Sequence, residues 1–268
     1  MKDELEHATD LCTVSGTLSP DAVGWSRWPL HRCNLSGHRL RKKRWNYWAI
    51  TSDRYLFSAT VANLDYLGVV FVYFLDFETQ RFIEKTVTVP LGRGCDLPET
   101  PAGDVRFRHD RLKVALLDAP GGGTIIRARA GGFGGEPLHA DIAVDRPTGH
   151  ETLNVVIPWS RDRFQFTSKQ NTLPASGAVR IGDTEYVFEE GKSFACLDFG
   201  RGVWPLNCFW NWGAASGAQT GRTIGLNLGG GWTDSTGMTE NGICLDGCLT
   251  KIGEDLDFDY DTSDYLRA

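Results

Sequence analysis

Four carboxylates, Asp65, Asp198, Asp234 and Glu240, stand inside stretches of aromatic residues and glycines, a setting in which a carboxyl group can do chemistry. An acid walled by apolar side chains keeps its proton near neutral pH, because desolvation penalises the charged form. Such an acid can protonate an alkene or an epoxide, the step that hydratases and isoprenoid cyclases require. Asp198 and Glu240 are the candidate proton donors. In an extended strand Asp198 shares a face with Phe194 and Cys196. Glu240 falls in the Gly-rich turn Gly237–Gly242 and reads as a mobile rim residue that reaches a ligand without being buried. Around them Trp48, Trp210, Trp212 and Trp232 supply apolar surface, while Asn63, Asn227, Asn241, Asp65 and Asp234 supply groups for a ligand's polar end. The same residues also suit a pocket without chemistry, carbohydrate recognition on Trp faces, or a purely structural scaffold. Buried polar side chains most often serve as hydrogen-bonded core groups.

No Gly-x-Ser-x-Gly elbow, His-Glu-x-x-His pair or Walker loop occurs, which removes the commonest hydrolase, zincin and nucleotide readings. The cluster Gly131–Gly135 lacks the Gly-Lys-Ser/Thr ending of a phosphate cradle and reads as a hairpin tip. His31, Cys33 and His38 have no second Cys pair beside them to complete a zinc site. The acidic run Asp255–Asp264 lacks the Gly and Glu of a calcium loop. No metal and no cofactor is therefore expected, and Cys244 and Cys248 read as packing thiols on one strand. The expected partner is an apolar or amphiphilic small molecule.

A net charge of −6 and a pI of about 5.5 oppose nucleic-acid binding. The exception is Arg39–Arg44, RLRKKR, which reads as a solvated strand entry that protects an edge, or as a point of peripheral contact with a membrane surface or anionic ligand. The acidic N-terminal residues lack an apolar signal region, and seven scattered cysteines, an odd number, read as reduced thiols. An intracellular, cytoplasmic protein is expected. The longest apolar run, Tyr66–Leu75, is shorter than the ~20 residues of a membrane helix. It reads as a strand buried on both faces.

The elements that must position these residues are strands. Runs rich in β-branched and aromatic residues recur from Trp45 onward, separated by short polar breaks, and no segment sustains helical periodicity. The polar stretch Pro158–Pro174 shows no core pattern and is read as the link between two domains, 1–157 and 158–268. Trp28-Pro29-Leu30 followed by Trp45-Asn46-Tyr47-Trp48-Ala49 recurs as Trp204-Pro205-Leu206 followed by Trp210-Asn211-Trp212-Gly213-Ala214. Asn63 and Asn227 stand at nearly matching distances downstream, so duplication of one β unit is inferred. The fold class is all-β, with two antiparallel barrel-like halves. The alternation from Leu256 to Tyr260 reads as a final strand, after which the second barrel would be short of strands.

Four strings, GWSRWPL (24–30), RKKRWNYWAITSDRYLFSATVANLDYLG (41–68), LDFGRGVWPLNCFWNWGAASG (197–217) and IGLNLGGGWTDSTGMTENG (224–242), resemble the family named for domain of unknown function 2804. The resemblance covers most of the chain. It implies a place among the calycins, beside carotenoid hydratases and tocopherol-cyclase-like proteins built from two lipocalin-like barrels. An apolar ligand is implied with it, and no catalytic residue is carried over.

Overall fold

The computed structural model describes residues 4–260. Three two-residue strands come first, β1 (Thr9–Asp10), β2 (Trp25–Ser26) and β3 (His31–Arg32), with one 3-10 turn at Pro20–Ala22. A meander of β4 (Lys42–Thr51), β5 (Tyr55–Asn63), β6 (Leu67–Asp76) and β7 (Arg81–Pro90) follows. Then come β8 (Val105–His109), β9 (Leu112–Asp118), β10 (Thr124–Phe133) and β11 (Glu136–Val144), and after them β12 (Leu153–Ser160), β13 (Arg163–Ile181), β14 (Thr184–Phe188) and β15 (Phe194–Val203). The last four are β16 (Asn211–Gln219), β17 (Arg222–Gly230), β18 (Asn241–Leu245) and β19 (Cys248–Ile252).

The meander is set by its turns as much as by its strands. Ser52 Oγ accepts the Tyr55 amide at 3.0 Å, Asn63 Oδ1 accepts the Asp65 amide at 2.9 Å, and Asp76 Oδ1 accepts the Glu78 amide at 3.0 Å. Short polar side chains that bond the backbone a few residues on close such turns locally. The strands then assemble into one antiparallel sheet in the order β7-β6-β5-β4-β15-β13-β11-β10-β9-β8, with β12 and β14 also on β13. It curls into a half-barrel around a continuous core that includes Trp48, Phe57, Phe74, Phe133, Phe166 and Phe199. Each such buried Phe contributes roughly 1.5–3 kcal/mol. β16-β17-β18-β19 form a separate four-stranded sheet, and a smaller cluster of Trp25, Val155, Ile157, Trp232 and Met238 packs beneath it. No helix among the described residues is long and apolar enough to cross a membrane.

Several sequence expectations change here. Pro158–Pro174 is no linker: residues 158–160 end β12, and 163–174 belong to β13, whose side chains from Phe164 to Leu173 are all buried. β13 pairs with β12 and β15 along its first part and with β11 and β14 along its last, so the boundary at 157/158 falls inside a paired strand. Polar residues hide this strand because protein covers both of its faces and one cover is itself polar. β6 is fully buried on one face only; Leu67, Val69, Phe71, Tyr73 and Leu75 on the other are half-buried. Cys244 and Cys248 lie on two strands joined by a turn at Asp246 and Gly247, both with positive φ. Residues 254–260 form no strand: Glu254 offers its carbonyl to the Asn241 side chain instead of a ladder, and the run beyond Tyr260 lies outside the described residues. The two repeat copies each enter a paired strand, but Asn63 faces Arg44 whereas Asn227 faces Ala214, so the order is shared and the register is not.

Arg201 on β15 is 1% exposed and has no carboxylate partner among the described residues. Its guanidinium donates to the carbonyls of Trp45, Gly200 and Pro98 and to Asn46 Oδ1, at 2.7–3.1 Å, tying the 91–104 loop to β4 and β15. Burial pushes its pKa down to about 9, which leaves it charged at neutral pH. Arg201→Met would strand these buried acceptors, and a loss of about 3–5 kcal/mol is expected in chemical denaturation.

Candidate functional site

Alternation along β13 sends Phe164 and Phe166 into the main core and Gln165, Thr167 and Lys169 to the opposite face of the sheet. There Lys169 lies directly across from Asp198 on β15, which in turn faces Tyr47 on β4. Lys169 Nζ is 2.8 Å from Asp198 Oδ1 and 3.0 Å from Glu240 Oε2, so one ammonium stands between two carboxylates. Thr167 Oγ1 donates to Asp198 Oδ1 at 3.3 Å.

Glu240 comes from the other sheet, one residue before β18. Trp232 Nε1 donates to its Oε1 at 2.7 Å. A Cβ at position 229 would stand 2.0 Å from the same oxygen, so only glycine lets β17 pass this carboxylate. Glu240 is therefore buried, 1% exposed, and not a mobile rim residue. The turn before it is anchored, since Asn227 Nδ2 donates to the Glu240 carbonyl and Asn241 Oδ1 accepts the Gly229 amide at 2.6 Å.

Burial raises the Glu240 pKa above its ordinary value of 4.5, and the nearby Lys169 ammonium offsets this only in part. Burial acts to lower the Lys169 pKa, but Asp198 and then Glu240 outweigh it and hold the ammonium up at about 12. Charge balance points the same way: Lys169 and the more exposed Asp198 form a neutral ion pair, and a proton on Glu240 spares the site a second buried anion.

Indole rings wall the space above this trio. Trp204 stacks on Trp232 with centroids 5.7 Å apart and planes 14° apart, and meets Trp45 and Trp210 edge-on. Trp212 lies 4.7 Å from Lys169 Nζ, centroid to nitrogen, and donates Nε1–H to Asn227 Oδ1 at 2.9 Å. A Cβ at Gly200 would meet the Trp45 ring at 2.1 Å, so glycine on β15 lets that ring lie across the strand. Together they bound a cavity of about 440 Å³ between the outer face of the main sheet and the small sheet, with Lys43, Leu64, Leu206 and Cys208 also at its wall.

Of the residues singled out in the sequence, Asp198, Glu240, Trp210, Trp212 and Trp232 meet at this cavity. Trp48 does not: it is 2% exposed in the half-barrel core, on the other face of β4. Asn63 closes a turn and donates to the Cys95 carbonyl at 2.9 Å, while Asp65 sits 3.7 Å from both Lys42 and Arg44. Asp234 is exposed in a turn where it accepts the Gly231 amide. Asn227 and Asn241 brace the Glu240 backbone from behind. Trp45 and Trp204, read in the sequence as members of the repeat, also wall the cavity. Lys169 lines it with them and Thr167 bonds Asp198, and the signal for these two is the alternation of Phe164, Phe166 and Ser168 against Gln165, Thr167 and Lys169.

No curated protein matches the chain. Solved structures that resemble it include kievitone hydratase from Nectria haematococca, 12% identical with a TM-score of 0.47, covering 78% of this chain and 63% of that one. CghA with Sch210972 is 14% identical with a TM-score of 0.46, covering 80% of this chain and 59% of that one. A provisionally assigned AttH protein from Nitrosomonas europaea is 11% identical with a TM-score of 0.46, covering 78% of this chain and 67% of that one. The chain thus spans about two thirds or less of the length of these structures, and likeness at this level assigns it no activity. The sequence profile of the family described as Domain of unknown function (DUF2804) matches residues 2–268, and the chain belongs to that family.

Proposed function

We propose that the protein binds an apolar or amphiphilic small molecule, of lipid or isoprenoid class, in the cavity between the two sheets. The observation that carries this reading is the pairing of an indole-walled space of about 440 Å³ with a buried polar trio of Lys169, Asp198 and Glu240. Pockets of this size lined by aromatic rings, with a few convergent polar groups, suit molecules that are mostly apolar and carry one polar function. The half-barrel interior is filled by side chains, so the cavity outside it is the better site. A carbohydrate reading loses support because Asn227 and Asn241 are committed to backbone and indole partners.

The raised pKa of buried Glu240 favours a second, compatible reading, in which the bound molecule is protonated as in hydration or cyclisation of an alkene. Glu240 would donate the proton, and Lys169 with the Trp232 N–H would stabilise the carboxylate left behind. Native mass spectrometry and solvent extraction of freshly purified protein test the binding reading. A lipid or isoprenoid carried through purification, and lost in Trp204→Ala, is expected; a glycan ligand, or none with any apolar probe, would overturn it.

A further inference from the structure

The loop 204–210 both walls the cavity and projects from it. Leu206 is 88% exposed, Phe209 69% and Trp210 56%, and exposed Leu40 and Tyr66 stand at the ends of neighbouring segments. Leu206 and Trp210 line the cavity as well, so the apolar projection is its rim. Contiguous exposed apolar side chains of this size mark a surface that meets something other than water.

Cations gather on the same rim. Arg41 reaches the Trp204 carbonyl at 3.4 Å, and Lys43, itself a cavity residue, lies 4.4 Å over the Tyr66 ring and donates to its hydroxyl. Lys42 and Arg44 are paired with Asp65, whereas Arg39, Arg41 and Lys43 have no carboxylate partner among the described residues. Leu256 and Phe258 lie beside Gly230, and Phe209 beside Gly231, so the acidic segment 254–260 passes on the Phe209 side of the rim, away from Arg41 and Lys43 at Trp204 and Tyr66. Aromatic and aliphatic side chains ringed by Arg and Lys match the boundary between acyl chains and anionic headgroups.

We infer that this rim docks on an anionic lipid bilayer, with Leu206, Phe209 and Trp210 entering the headgroup region and Arg39, Arg41 and Lys43 meeting lipid phosphates. The inference rests on the cavity being a site for an apolar molecule, which would pass between bilayer and cavity through this rim. Charge complementarity favours lipid over a second copy of this chain, whose surface carries the same cations.

Co-sedimentation of the full chain with vesicles of phosphatidylcholine, with and without phosphatidylserine, tests the surface. Partitioning about 10-fold or more stronger onto the anionic vesicles, and weakened by salt, is expected. Phe209→Ser, and separately Arg39→Glu with Arg41→Glu, should each lower it about 10-fold. Arg108→Glu with Arg129→Glu, on the exposed outer face of β8–β10, should leave it unchanged. Equal binding by the rim variants, loss only in the β8–β10 variant, or a dimer dissolved by Phe209→Ser without vesicle binding would each overturn the inference. Quenching of Trp fluorescence by retinol added from solution separates the two readings. Retinol uptake without vesicle binding ends the docking inference and keeps the site; vesicle binding without retinol uptake keeps the docking surface and counts against the site.

Discussion

Replacing Lys169 with methionine is expected to destabilise the fold by about 3–5 kcal/mol near neutral pH, because it leaves the Asp198 carboxylate without its counter-ion beside buried Glu240. Asp198 and Glu240 would then face each other across the cavity floor, with Glu240 fully buried and Asp198 only partly exposed. The deficit depends on pH in a defined direction. Without the ammonium Glu240 holds its proton still more tightly folded than unfolded, and such a group contributes stability at low pH that is lost as pH rises through the folded pKa. The Lys169→Met deficit should therefore shrink toward pH ~4 and grow toward neutrality. In the wild type the Lys169 contribution is present below its ordinary 10.5 and lost as pH rises through about 12. Adding Glu240→Gln to Lys169→Met should change the deficit little at neutral pH, since protonated Glu240 and the amide are both uncharged and the deficit comes from the Asp198 carboxylate left without its counter-ion. Urea unfolding of the three variants across pH measures all of this, and a deficit independent of pH would show that Lys169 acts by packing alone.

Glu240→Gln is expected to lower conversion of the bound molecule by about 10²–10⁴-fold while leaving its affinity nearly intact. The amide keeps the shape of the side chain and can still accept from Trp232 Nε1, but it carries no acidic proton. Because the protonated form is the active one, wild-type turnover should be level at acid pH and decline as pH rises through the raised pKa of Glu240. Asp198→Asn should act more mildly, through the position of Lys169, since Asp198 is its cross-strand counter-ion. Analysis of the extracted molecule before and after incubation reads the outcome; undiminished conversion in Glu240→Gln would return Glu240 to a structural role.

The strands were legible because they rest on local chemistry, alternation of β-branched and aromatic residues between short polar breaks such as Ser52-Asp53, whereas Asn63, read as a ligand group, proves to close a turn. Asp198, Glu240 and three of the cavity tryptophans were legible for a related reason, as carboxylates and indoles in a Gly-rich chain point to close packing. Lys169 was not. Its role depends on β15 lying beside it and on the small sheet covering its outer face, both long-range facts, and a strand covered on two faces by partly polar neighbours does not show the usual apolar stripe. Trp48 misled in the opposite sense. It sits three residues from Trp45, and that odd spacing places it on the core face while Trp45 faces the cavity.

A carbon-13 titration of side-chain-labelled glutamate, comparing wild type with Glu240→Gln, tests the central claim most directly. The cavity is held to keep one acid protonated above its ordinary range, so one glutamate carboxyl signal, absent from Glu240→Gln, should retain the protonated shift well above pH 4.5 and titrate still higher in Lys169→Met. If every glutamate signal titrates at or below that value in the wild type, Glu240 is a plain ion-pair partner of Lys169, and the acid on which the proposed chemistry depends does not exist.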